Sequence, residues 1–279
     1  MKLNIKEIVA AAAVFACSLI FCCAVLCSSL VYGEEGEDST DKKKETLKAA
    51  AGSAKGRPVI VIDPGHGGMD GGASASDGTL EKDINLQIAL RLKELAEEYP
   101  VDIIMTRESD ISLHSDEEAS IRNKKRQDLL KRKEIIDRAQ GTLAVSIHLN
   151  SFPEDGSVYG AQVFYPDDDV KRTDGRTEEQ TSRAYAESIQ KSIEMKLPDG
   201  RERSVMTKDD FLIFDNPTCP TVLVECGFLS NKAESEKLKT TEYQEEMAYA
   251  VWEGINEVLG LEKEQKSEII DSANRRGKE

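Results

Sequence analysis

Residues 59 to 68 read VIVIDPGHGG, a short run of β-branched apolar residues that leads into glycines and a histidine. An apolar run of this length, bounded by turn residues, predicts a strand buried on both faces, as in a parallel sheet. Two later segments have the same form: LAVSI leads into His148, and TVLV leads into Glu225. Because open α/β sheets bind ligands at the carboxyl edge of their strands, we expect His66, His148 and Glu225 to meet there.

Strand-like and helix-like segments alternate from residue 58 onward. This β-α-β order predicts a largely parallel sheet with helices on its faces. We therefore expect one α/β domain with a mostly parallel, mixed, twisted sheet flanked by helices, of a phosphorylase/hydrolase-like kind. Strands are predicted at 59–62, 101–105, 143–147, 161–165, around Phe211 and at 221–225, and helices at 83–98, 121–139, 181–195 and 243–259.

The N-terminal segment predicts export. Residues 8–32 are apolar and almost uncharged, and Lys2 and Lys6 precede them. This run exceeds the roughly 7 to 15 residues of a secretory signal and reaches the roughly 20 that span a bilayer. We expect residues 1–33 to anchor an extracytoplasmic enzyme to the cell membrane. The alternative is cleavage near Gly33 and release of a secreted protein.

Composition divides the remainder of the chain. Residues 34–57 are polar without apolar periodicity, which predicts a flexible linker. Residues 58–260 form the predicted catalytic domain, and residues 261–279 a charged tail. The formal net charge of -15 argues against a nucleic-acid partner. The locally basic stretch 122–138 has apolar residues at helical spacing, so we interpret it as the solvated face of an amphipathic helix in preference to a ligand-binding patch.

Cys219 and Cys226 are the only cysteines outside the N-terminal apolar run. An oxidising exterior permits a disulfide between them. Two unpaired thiols in or near a buried strand are an equally good interpretation, and the sequence leaves both open.

The glycine-rich turn around His66 matches neither the dinucleotide motif G-x-G-x-x-G nor the phosphate-binding P-loop, so its histidine favours a metal. A single histidine more often only hydrogen-bonds its loop, but His148 stands at a second predicted strand end. Glu81 precedes the helix predicted from residue 83; on its own it would be an ordinary acid favoured by the helix dipole. Two imidazoles and a carboxylate around an open position form a hydrolytic zinc site.

Glu225 is the candidate proton carrier. Apolar neighbours partly remove it from water, which raises the pKa of a carboxyl group toward the range of general acid/base catalysis. An acid on a buried strand is rare unless it is paired or functional. The third histidine, His114, lies in a polar loop and receives no role.

At these residues the chain resembles the zinc-dependent N-acetylmuramoyl-L-alanine amidases of the Amidase_3 family, over about residues 58–259. The resemblance implies one zinc ion on His66, Glu81 and His148, with Glu225 as catalytic acid/base. It also implies hydrolysis of the amide between the lactyl group of N-acetylmuramic acid and L-alanine in peptidoglycan. Five segments in family order carry it: DPGHGGMDGGA at 63–73, EKDINL at 81–86, MTRESD at 105–110, SIHLNS at 146–151 and VECGFLSN at 224–231.

The anchor, the single domain and the segments MTRESD and ECGFLSN resemble the sporulation-type branch of the family, whose members trim spore cortex peptidoglycan. Arg107, within MTRESD, is expected to have a structural or substrate-contacting role. The segment 166–210 is too short and polar for the autoinhibitory helix of some relatives, so we expect any control to come from an extracytoplasmic activator protein. Cys226 beside Glu225 and the charged tail depart from the family pattern.

The sequence leaves two alternatives to the amidase function. One is a zinc peptidase that cuts within stem peptides, although the H-E-x-x-H signature of common zinc proteases is absent. The other is a wall-binding domain that has lost catalysis. Products of peptidoglycan digestion distinguish all three.

Overall fold

The computed structural model of the chain describes residues 56–114, 120–167, 181–198, 201, 203–208 and 210–264. These residues belong to one compact unit. The predicted anchor, nearly all of the predicted linker and most of the charged tail lie outside the described residues. Within the described ranges, no helix is both long enough and apolar enough to cross a membrane.

Among the described residues, six strands form one sheet in the order β2-β1-β3-β6-β4-β5. Strands β2, β1, β3 and β6 are parallel, β4 runs antiparallel to β6, and β5 pairs in parallel with β4. The prediction of a mostly parallel, mixed α/β sheet is therefore confirmed. The strands are β1 Val59–Pro64, β2 Asp102–Met105, β3 Leu143–Asn150, β4 Gln162–Tyr165, β5 Met206–Thr207 and β6 Thr221–Phe228.

Helices cover both faces of this sheet. Helices α1, α3 and α5 pack over the larger apolar core on one face. Helix α2 and a short 3-10 helix cover a smaller core on the other face, which we call the α2 face. The helices are α1 Glu81–Ala96, α2 Ile121–Ala139, α3 Ser182–Lys196, α4 Lys232–Leu238 and α5 Thr241–Leu259, with the 3-10 helix at Leu212–Phe214.

Alternation along the strands decides which polar side chains reach the α2 face. Ala144 of β3 and Leu223 of β6 both lie in the core beneath α2. Because side chains alternate with a period of two, His148 and Glu225 project to that same face. They are also Cα partners in the parallel register of β3 and β6. The two strands therefore present a histidine and a carboxyl side by side at the carboxyl edge.

Element boundaries differ from the prediction next to the candidate site. Helix α1 begins at Glu81, so this residue lies in the first helical turn and not before the helix. Strands β3 and β6 continue three residues beyond their predicted ends. As a result, His148 and Glu225 lie within strands, where the sheet hydrogen bonds restrict their backbones.

The strand predicted around Phe211 is wrong. Phe211 precedes the 3-10 helix, and its ring makes edge-to-face contacts with Phe164 and Phe214 at centroid distances of 6.4 and 5.6 Å. The edge strand lies at Met206–Thr207 instead. Aromatic packing in a short helical turn explains the apolar composition that had predicted a strand.

Helix α4 was not predicted. The sequence does contain a start signal for this helix, since asparagine is a preferred N-cap residue. In the structure the Asn231 side chain caps the helix by accepting a hydrogen bond from the Glu234 amide at 2.9 Å. Cys219 and Cys226 are buried thiols without a disulfide between them, which decides the alternative that the sequence left open.

Candidate metal centre

The carboxyl edge of the sheet brings His66, Glu81 and His148 together. Oε1 of Glu81 lies 3.2 Å from Nε2 of His66 and 3.0 Å from Nδ1 of His148. One potential ligand atom from each residue lies within 4.8 Å of the others. Two imidazole nitrogens and one carboxylate oxygen are a donor set that zinc accepts, with a fourth position for water or substrate. The three side chains therefore fit a zinc ion.

A strained turn presents His66. Its backbone has a φ of 61°, in the left-handed region that non-glycine residues rarely occupy. Nδ1 of His66 lies 2.9 Å from Oδ2 of Asp70, which orients Nε2 toward Glu81. Nζ of Lys125 lies 2.7 Å from the other carboxylate oxygen of Asp70. A chain of contacts thus connects helix α2 to the first candidate ligand.

The charges around His66 favour a cation. Burial acts to lower the pKa of His66, but hydrogen bonds and negative charge from Asp70 and Glu81 outweigh it and raise the pKa to about 9. The same anionic surroundings that stabilise a protonated imidazole would stabilise a metal ion in place of that proton.

Glu81 is held by main-chain and side-chain donors. Its Oε2 accepts a hydrogen bond from the Ala73 amide at 2.8 Å, and Oε1 accepts from the Leu149 amide at 3.0 Å and from Asn85 Nδ2 at 3.2 Å. Burial acts to raise its pKa, but the contacts with His148 and His66 hold it well below the ordinary range. Glu81 is therefore an immobilised anion.

Two glycines let the loop pass close to these ligands. A Cβ atom at Gly65 would lie 2.3 Å from ring atoms of His148. Gly72 has a φ of 69°, and a Cβ there would lie 2.5 Å from Oε2 of Glu81. Glycine is required at both positions because any side chain would displace a candidate ligand.

We expect Gly65→Ala to weaken zinc binding by about 10- to 100-fold, as displacement of groups around a metal ligand usually does. The added methyl group would occupy the volume of the His148 imidazole. Competition with a zinc-binding dye measures the change. Gly156→Ala is the matched control, because its new Cβ would make only an ordinary 3.4 Å contact. Unchanged zinc affinity in Gly65→Ala would contradict the assigned position of His148.

Two buried arginines support the turn that carries His66. Arg132 pairs with Asp63 at 2.7 Å and donates to the carbonyl oxygens of Pro64, at 2.6 Å, and His66. Burial acts to raise the pKa of Asp63, but the Arg132 charge and two hydroxyl donors lower it to about 2. The pair therefore stays ionised and fixes the turn from the α2 face.

Arg107 donates to the carbonyl oxygens of Pro64 and Gly65, both at 3.0 Å, and of Lys82 at 2.8 Å. Only 2% of its surface is exposed. Of the two roles expected from the sequence, these contacts support the structural one, because the guanidinium is occupied by main-chain oxygens and closed to substrate.

Glu225 lies next to the three candidate ligands. Its Cα partners are His148 of β3 and Gln162 of β4. Its Oε2 is buried and has no hydrogen-bond partner among the described residues. Burial, reinforced by the negative charge of Glu81, raises the pKa of Glu225 to about 7. A carboxyl group of this kind can both accept and donate a proton near neutral pH.

Sequence reasoning missed the residues that support the ligands. Asp70 lies inside the quoted glycine-rich segment, and Asn85 inside EKDINL, yet neither received a role. Asp70 contacts His66 of its own loop and Lys125 of α2, and Asn85 contacts Gly65 of the loop and Glu81 of α1. Spacing in the sequence does not reveal which of these side chains meet. His114 lies outside the cluster of candidate ligands among the described residues, consistent with the absence of an assigned role.

A mostly parallel α/β sheet with a His, Glu and His cluster beside a buried carboxyl group is typical of metal-dependent hydrolases. The chain belongs to the N-acetylmuramoyl-L-alanine amidase family, Amidase_3, which matches residues 60–257. The resemblance inferred from five short segments is thereby confirmed.

Individual relatives agree with this assignment. The chain is 34% identical over 197 residues to a germination-specific N-acetylmuramoyl-L-alanine amidase of Bacillus subtilis strain 168, covering 71% of this chain and 78% of that protein. It is similar to the solved CwlD amidase from Clostridioides difficile in complex with the GerS lipoprotein. The identity is 40% and the TM-score 0.67, and the match covers 73% of this chain and 99% of the solved chain. The solved N-acetylmuramoyl-L-alanine amidase AmiC2 of Nostoc punctiforme shares 30% identity, with a TM-score of 0.60, and the match covers 74% of this chain and 99% of the solved chain.

Proposed function

We propose that this chain is a zinc-dependent peptidoglycan hydrolase that cleaves the amide between the lactyl group of N-acetylmuramic acid and L-alanine of the stem peptide. The observation that carries the proposal is the convergence of His66, Glu81 and His148 within an Amidase_3 domain. The position of Glu225 beside His148 supplies the proton carrier that such a reaction needs.

In this mechanism His66, Glu81 and His148 hold the zinc ion. When bound, zinc acts as a Lewis acid that activates water and polarises the amide carbonyl. Glu225, as a carboxylate, accepts the proton of the attacking water. It then donates that proton to the departing nitrogen, so that L-alanine leaves as an amine. The lactyl group becomes a carboxylic acid, which releases its own proton to form the carboxylate. The Glu225 residue is only partly buried, so its carboxyl group stays within reach of water and substrate for both transfers.

We further propose that the enzyme acts on spore cortex peptidoglycan from the outer side of the cell membrane, held there by residues 1–33. Support for the cortex comes from the germination-specific relative in Bacillus subtilis. The CwlD amidase of Clostridioides difficile was solved in complex with a lipoprotein. That complex supports an extracytoplasmic lipoprotein as the activator expected here.

Mass spectrometry of peptidoglycan digested by the full-length protein tests the proposed activity. We expect stem peptides that begin with L-alanine to be released, to disappear when a chelator is added, and to return when zinc is restored. New peptide termini inside the stem peptide would show that the enzyme is a peptidase and not an amidase. Cleavage that appears only when the proposed lipoprotein activator is added would support the activator. Binding to peptidoglycan that stays intact with the zinc-loaded protein, both with and without the activator, would favour a wall-binding domain.

A further inference from the structure

Lys208 stands on the α2 face beyond Glu225, just after the edge strand β5. Its main-chain amide donates to the Tyr165 carbonyl oxygen at 3.0 Å, which fixes the backbone to β4. Its Nζ lies 4.2 Å from the ring centroid of Phe211 and 5.5 Å from that of Phe164. Both distances are within the range of cation–π attraction. The aromatic rings therefore hold an ammonium group on the side of the sheet where Glu225 projects.

This ammonium group is weakly paired. Among the described residues its nearest carboxylate is Asp210, at 3.8 Å, and 39% of the Lys208 side chain is exposed. Exposed pairs of this kind contribute little, so they compete poorly with a ligand. The positive charge of Lys208 also acts on Glu225, where it counters the effect of burial on the pKa.

Sheet geometry sets the separation between Glu225 and Phe164, the residue whose ring centroid lies 5.5 Å from Nζ of Lys208. Phe164, beneath the ammonium group, is the Cα partner of Leu223, which lies two residues before Glu225 on the same face. Diagonal neighbours on one face of a sheet are about 7 to 8 Å apart. Two residues of an extended peptide span roughly the same distance, about 7 Å. A peptide with its first amide at Glu225 can therefore bring its second residue over the Phe164 ring, within reach of Nζ of Lys208.

We propose that Lys208 forms a carboxylate-binding subsite that selects stem peptides by the negative charge on the residue after L-alanine. This inference rests on the proposed function, because it requires the lactyl-alanine amide to lie at the metal centre. Lys208 would contact the substrate through a charge-assisted hydrogen bond and take no part in bond cleavage.

Two soluble muropeptides that differ only at the second stem residue, with a free carboxylate or a carboxamide, test this subsite on the zinc-loaded, full-length protein. We expect kcat/KM to favour the carboxylate by about tenfold, the effect of one charge-assisted hydrogen bond. Lys208→Met should abolish the preference by raising KM for the carboxylate substrate, with zinc content unchanged. Lys208→Arg should retain it. Lys191→Met, at an exposed position of α3, is the matched control.

Two results would overturn the subsite while the amidase assignment stands. One is cleavage of both muropeptides by the wild-type protein with equal kcat/KM. The other is an equal loss on both substrates in Lys208→Met, which would assign the effect to the lost influence on Glu225. Failure of the zinc-loaded wild-type protein to cleave either substrate, even when the proposed lipoprotein activator is present, would instead contradict the proposed function itself.

Discussion

Glu225→Gln is expected to reduce turnover of peptidoglycan by about 10²- to 10⁴-fold, the range that general acid/base residues contribute. Glutamine preserves the shape of the side chain and its place in β6, but its amide can neither accept the water proton nor deliver one to the departing nitrogen. Zinc should remain bound with unchanged affinity, because Glu225 is not among the three clustered ligands. Stability should change little, since Oε2 of Glu225 has no hydrogen-bond partner among the described residues that the substitution would remove.

Single-turnover kinetics and zinc content, measured on the same preparation, distinguish a role of Glu225 as proton carrier from a role as zinc ligand. Glu257→Gln is the control, because Glu257 is exposed near the end of α5. Loss of zinc from Glu225→Gln would make this residue a ligand and not a proton carrier. Turnover near that of the wild-type protein would remove it from the mechanism.

The central strands were predictable because each is an unbroken apolar run. In β1, Ile60 and Ile62 enter the larger core and Val61 enters the smaller one, so the strand is apolar on both faces. Such a run predicts a central parallel strand without any tertiary information. The segment around Phe211 has a similar composition but only three residues in helical conformation, and short apolar runs do not distinguish a strand from a buried helical turn.

The sequence predicted that the candidate ligands would meet at one edge of the sheet. It did not predict the side-chain contacts that hold them in place. His66 follows strand β1 and His148 lies near the end of strand β3. These strands pair directly, so the carboxyl edge of the sheet brings the two histidines together. The contact of Lys125 with Asp70, and the pairing of Arg132 with Asp63 across 69 positions of the chain, arise only when α2 packs beside the loop. Charge patterning along 122–138 showed a basic helix but did not show which of its arginines would be buried.

His148→Ala is expected to weaken zinc binding by at least about 100-fold, since even changes outside the first coordination sphere cost 10- to 100-fold. The substitution removes one of two imidazoles and leaves Glu81 without its 3.0 Å contact to Nδ1. Turnover should fall in parallel with zinc occupancy. In the wild-type protein, zinc should raise the unfolding temperature, because a ligand that binds only the folded state stabilises it by mass action. In His148→Ala, this rise should disappear.

His114→Ala provides the matched control, because it removes an imidazole that lies outside the cluster. It should keep full zinc content, zinc-dependent stabilisation and turnover. His66→Ala should behave like His148→Ala, since Nε2 of His66 lies 3.2 Å from the same oxygen of Glu81. Full zinc content and activity in both His66→Ala and His148→Ala would contradict the proposed zinc site. Loss of stability without loss of zinc affinity would instead show that the two imidazoles serve the hydrogen bonds of Glu81, and that the metal binds elsewhere.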